Sequence, residues 1–79
     1  MPKLPRVTAT ETIKALKKLG FVKVRQKGSH VILKKQLNNE ENIQIGCVIP
    51  LHRKTLAVGT LRSILNQAGI SVEEFIDNL

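Results

Sequence analysis

Residues 21–35 read FVKVRQKGSHVILKK, and the reading of this stretch decides the fold. Val22 and Val24 alternate with Lys23 and Arg25, and the alternation resumes after Lys27-Gly28-Ser29, with Val31 and Leu33 set between His30, Ile32 and Lys34. A period of two belongs to strands with one covered face. A glycine-containing break between two such runs reads as the turn of a β-hairpin. The phase predicts that Val22, Val24, Val31 and Leu33 face a core. Lys23, Arg25, His30, Ile32 and Lys34 then share the opposite, open face.

Outward from the hairpin, the period changes. Thr8 and Glu11 have the spacing of a capping box, and Ala9, Ile13, Leu16 and Leu19 recur at helical intervals up to Gly20. This predicts a helix over 9–19. After the hairpin, 37–42 is a polar loop, and Ile43, Ile45, Cys47 and Ile49 mark one face of a third strand that Pro50 ends. A connecting loop over 51–57 carries His52, Arg53 and Lys54. Leu61, Ile64, Leu65 and Ala68 then predict a helix from about Val58 to Gln67 that Gly69 closes, with Gly59 and Thr60 beginning and capping it. Ser71 and Glu74 form a second capping box before a short last helix. The order α-β-β-β-α-α is that of an α+β sandwich: a three-stranded antiparallel sheet with its helices on one face.

At 79 residues the chain is read as one domain over 1–79, with 1–7 as a flexible N-terminal segment. Cys47 is the sole cysteine, which excludes a disulfide framework and a multi-thiolate zinc site; on the predicted covered face it is a packing residue. No apolar run approaches the roughly 20 residues a membrane helix needs, and the first residues have no apolar signal core, so a cytosolic protein is expected. Trp and Tyr are absent, and Phe21 and Phe75 are the only aromatic residues. Base-stacking platforms have little material here. Charge is placed unevenly. Residues 1–35 carry ten lysines and arginines against one glutamate, net +9, whereas 36–79 carry three against five acids, net −2. Such asymmetry points to a polyanion partner, set against the plainer reading of a solvated basic face.

Gly28-Ser29-His30 is the strongest local signal. Gly28 can adopt a positive φ and lets a ligand approach the backbone closely. Ser29 offers a hydroxyl to a phosphate oxygen. Histidine side chains ordinarily titrate near neutrality, so His30 can take up a proton and return it. RNA carries its own nucleophile, the 2′-hydroxyl, and leaves the protein to supply a base or acid, cations and positioning. That chemistry requires no metal or other cofactor. The alternative for His30 is a surface histidine just past a turn. His52 reads as a phosphate ligand, a partner acid or a plain loop residue, and Arg62 as a phosphate contact or a solvated helix residue. Two histidines and scattered carboxylates make no metal site, and no phosphate-binding glycine loop or nucleophile triad can be assembled.

Three segments together resemble the HicA (YcfA-like) toxin family: VRQKGSH at 24–30, VIPLH at 48–52 and GTLRSILNQAGI at 59–70. They occur in the family's order across nearly the whole chain. The resemblance implies a double-stranded-RNA-binding-domain-like fold and an endoribonuclease that cuts mRNA and so blocks translation. It also implies neutralisation by a HicB-type antitoxin, with no membrane and no small-molecule cofactor involved. The family's catalytic histidine follows its glycine turn, which here is His30. Lys23, Arg25, Lys27, Gly28, Ser29, Lys34 and His52 are the expected RNA contacts. One departure stands out: many members carry a second histidine directly after the first, and this chain has Val31, which the strand phase turns toward the core.

A non-catalytic RNA-binding module and an inactive relative that keeps only its partner are the rival readings. Double-stranded-RNA modules present a lysine cluster at the start of their last main helix. Here residues 58–62 hold Arg62 alone, which weighs against the first rival.

Overall fold

In the computed structural model, which describes residues 4–38, 43–51 and 54–79, Thr8 opens the first helix as the sequence predicts. Its hydroxyl accepts from the Glu11 backbone N–H at 3.1 Å, while the Glu11 carboxylate accepts from the Thr8 N–H at 3.0 Å. The Thr8 backbone N–H and, less strongly, the Thr8 hydroxyl hold the Glu11 carboxyl below the usual carboxylate range. Helix α1 spans Ala9–Lys18. Ala9, Thr12, Ala15 and Leu16 are its buried residues, with Ile13 and Leu19 packed partly buried at the margin. Thr12 is buried without penalty, because its hydroxyl donates to the Thr8 carbonyl one turn back at 3.0 Å.

Three strands follow: β1 (Val22–Lys27), β2 (His30–Asn38) and β3 (Ile43–Pro50). They form one antiparallel sheet in the order β1-β2-β3, so β2 is central. Strand β2 continues to Asn38, into the stretch expected as a loop; residues 39–42 lie outside the described set. Helices α2 (Val58–Ala68) and α3 (Val72–Asp77) complete the α-β-β-β-α-α order. The expected α+β architecture is the observed one. Among the described residues, no helix is long and apolar enough to cross a membrane.

The core lies between the helices and one face of β2 and β3. Val31, Leu33, Cys47 and Ile49 point into it and meet Leu61, Ile64, Leu65 and Ala68 from α2, with Phe75 of α3 fully buried beside them. Helix α2 packs along β3, which α1 also reaches. Burial pushes the Cys47 thiol up to about 11, so the sulfur is an apolar packing group. Leu4 and Val7 are also buried, and the Leu56 N–H donates to the Val7 carbonyl at 2.8 Å. Two residues of the lead-in, Leu4 and Val7, therefore belong to the core, while Arg6 between them is exposed.

Strand β1 departs from the sequence reading. Every one of its residues is exposed, including Val22 at 59% and Val24 at 51%. The valines expected in the core are not there, for two reasons. The helices leave β1 uncovered, and the register slips between Lys23 and Arg25, making Val24 an extra residue in a β-bulge. Lys23 pairs with Leu33 and Arg25 with Ile32, so two residues that strict alternation puts on one face lie on opposite ones.

Helix α2 starts at Val58 as the sequence predicts, but its cap differs. Its N-cap is Ala57, with no side-chain cap, and Gly59 and Thr60 sit inside the first turn rather than before it. At its other end Gly69 adopts φ +68°, and the Ile70 N–H returns to the Leu65 carbonyl.

Gly69 is constrained twice. Besides its left-handed φ, a Cβ there would lie 2.9 Å from Ile45 Cδ1. Gly28 has φ +59° but open space around it. Gly28→Ala is expected to cost about 1 kcal/mol from backbone strain alone. Gly69→Ala adds the displacement of Ile45 and is expected to cost about 2 kcal/mol or more. Urea denaturation of the two variants checks the order.

Candidate functional site

The open face of the sheet follows from β2. With Val31 and Leu33 buried, the period of two turns His30, Ile32 and Lys34 the other way. Directly paired residues of antiparallel strands project to the same side, so the register identifies their neighbours. His30 lies between Lys27 of β1 and Pro50 of β3. Ile32 lies between Arg25 and Val48, and Lys34 between Val22 and Gly46. The face is therefore graded. Two of the three β1 positions are cationic, and the β3 positions are proline, valine and glycine.

Gly28 and Ser29 form the two-residue turn between β1 and β2, and His30 is the first residue of β2. The positive φ of Gly28 makes the reversal possible without strain. Two contacts hold the turn. The Gln26 side-chain amide donates to the Gly28 carbonyl at 3.3 Å, and the Leu51 N–H donates to the Ser29 carbonyl. The second bond ties the turn to the chain leaving β3. His30 thus stands, exposed, on a strand end braced from both sides. Positioned groups of this kind suit proton transfer better than groups on free loops.

Of the residues singled out from sequence, Arg25, Lys27 and Lys34 share the open face with His30, and Gly28 and Ser29 form the turn beside it. Lys23 does not join them. The bulge turns it to the helix side of the sheet, where its ammonium donates to the Gln26 side-chain oxygen at 2.8 Å. Its expected membership of the open face is corrected by that shift of phase. His52 lies outside the described residues. Arg62 is exposed on α2. Among the described residues, no group of three His, Cys, Asp or Glu side chains could hold a metal ion.

Sequence reasoning placed Ile32 on this face but missed its apolar neighbours from β3. Val48 is 40% exposed, Ile32 is half-buried, and Pro50 stands opposite His30. Alternation in β3 was a signal that Val48 points outward, but only the cross-strand register sets it beside Ile32. Lys34 has a further feature. A Cβ on Gly46 would lie 3.3 Å from its Cγ, so the lysine stem runs across the bare backbone of β3.

Val31 is 2% exposed, so it belongs to the core and not to the open face, as the strand phase predicts. Val31→His would bury an imidazole among apolar side chains, at an expected cost of about 1–3 kcal/mol near pH 8. Desolvation would hold the folded-state imidazole neutral, so the unfolded chain takes up the proton first and the loss grows as pH falls below about 6.5. Urea unfolding at two pH values checks both the size and the direction.

Compared with known families, the chain matches the family model described as HicA toxin of bacterial toxin–antitoxin over residues 9–70, from the first helix to the residue after Gly69. No curated protein matches it closely.

Proposed function

This chain belongs to the HicA family of bacterial toxin–antitoxin toxins, and from that premise we propose that it is a metal-independent endoribonuclease that cuts mRNA with His30 as its catalytic residue. The observation that carries the reading is the position of His30: the exposed first residue of β2, braced by the turn, in one row with Lys27 and adjacent to Arg25.

The chemistry uses the substrate's own nucleophile. His30 takes the proton of a ribose 2′-hydroxyl, whose oxygen attacks the neighbouring phosphorus. The bond from phosphorus to the 5′-oxygen breaks, and that oxygen leaves with a proton returned by the imidazole or by water. A cyclic phosphate remains on the 5′ fragment. Negative charge grows on the phosphoryl oxygens as the 2′-oxygen adds to phosphorus, and Arg25, Lys27 and Lys34 are the cations on this face to meet it. The backbone at Gly28 and the hydroxyl of Ser29 allow a phosphate close to the turn. Lys23, on the other side of the sheet, would contribute only long-range attraction. His52 remains a candidate auxiliary acid or phosphate ligand. A HicB-type antitoxin is the expected partner. An acidic inhibitor laid over the open face would block substrate and histidine together.

Loss of a general acid–base group lowers rate about 10²–10⁴-fold. Induced expression of His30→Ala in a bacterial host should leave growth and messages intact, while wild type arrests growth and degrades messages. Equal toxicity of the two at equal abundance would refute the mechanism, and harmlessness of both would favour the binding-module or inactive-relative reading.

The cations give a second expectation. Arg25→Ala should weaken RNA binding and reduce the salt dependence of affinity by about 0.7 in the log–log slope, as one phosphate contact is lost. Lys23→Ala should change that slope much less. Titrations at several salt concentrations, made in the His30→Ala background, compare the two.

A further inference from the structure

The cations and His30 account for phosphates and a ribose hydroxyl, yet they leave unexplained the exposed aliphatic patch in the next row of the same face. Ile32 and Val48 are paired across β2 and β3. They lie two residues along the strands from His30 and Pro50, a step of about 7 Å. Arg25 stands on the β1 side of the patch, and Lys34, lying over Gly46, closes its far end. An aliphatic shelf is thus bordered by cations on two sides and by the histidine row on a third.

We propose that the Ile32–Val48 pair is a nucleobase subsite, on which an unpaired base next to the scissile phosphate rests while its phosphates lie toward Arg25 and Lys27. The inference rests on the nuclease reading above and specifies its substrate as single-stranded. Three observations lead to it. Charge excludes one occupant and favours another, since a second copy of this face would set Arg25, Lys27 and Lys34 against like charges, whereas a polyanion is attracted. The aromatic residues cannot serve the base, because Phe21 is 2% exposed and Phe75 fully buried. The aliphatic row is then an apolar surface close to His30 that a base can meet. Finally, bases in an A-form duplex are stacked inside with their faces covered, so only a single-stranded segment can lay a base flat on this shelf.

The test measures binding of short, fluorescently labelled single-stranded RNAs, intact or with abasic riboses at the centre, to the full chain carrying His30→Ala. Val48→Thr keeps the β-branched shape but replaces a methyl by a hydroxyl. It should weaken binding of intact RNA about three- to tenfold, the scale of a methyl group withdrawn from an apolar contact. Val48→Phe supplies an aromatic platform and should tighten it by about tenfold. Abasic RNA should bind all three proteins alike. Intact RNA bound equally by all three would overturn the subsite. So would an abasic RNA that responds as intact RNA does, since Val48 would then act on the backbone. Val48 variants that bind RNA normally but lose the antitoxin would assign the patch to the protein partner instead.

Cleavage separates this inference from the reading beneath it. Wild type that cuts intact and abasic RNA at one rate keeps the nuclease and removes the subsite. Base-dependent binding by a wild type that cuts neither RNA removes the nuclease and keeps the subsite.

Discussion

Burial of Val31 and Leu33 on β2 is the constraint from which the rest of the molecule follows. The strand is central, paired on both sides, so a slip of one residue would expose both side chains and disrupt two ladders at once. With that phase held, His30, Ile32 and Lys34 have no freedom in direction. The same covered positions receive α2, whose Leu61, Ile64, Leu65 and Ala68 complete the core. One strand phase thus organises both the stability of the fold and the direction of its reactive side chain.

The two sides of the sheet are built for different solvents. The helix side of β2 and β3 buries Val31, Leu33, Cys47 and Ile49, with Cys47 as an inert thiol. Among the described residues, no buried side-chain nitrogen or oxygen is without a hydrogen bond. The open side is wet and graded from cations at β1 to aliphatic and glycine positions at β3. A nucleic-acid strand has the same two-sided character, with charged backbone along one edge and apolar bases along the other.

Strand β1 carries the cost of this design. It is a six-residue edge exposed on both faces, with two valines in water. Its three cations and its bulge are devices that discourage pairing with another copy of itself. The bulge also divides its basic residues between faces, sending Arg25 toward His30 and Lys23 away.

Much of this was legible in the amino-acid order. Capping boxes at Thr8 and Ser71, the αL glycine after α2, the turn at Gly28-Ser29 and the outward phase of His30 are local signals, each decided by residues within a few positions of one another. The phases of β2 and β3 were legible because their apolar faces are in fact covered. Other features depended on partners distant in sequence. Alternation in β1 says that one face is apolar, but not that a helix reaches it, and a single bulge resets which residues share a face. The pairing of Ile32 with Val48 and the burial of Leu4 and Val7 likewise depend on register and packing between separated segments. The sequence alone determined the local geometry that turns His30 outward. Only the tertiary structure decided its company on that face, because neighbours across a sheet are chosen by register, which no single strand encodes.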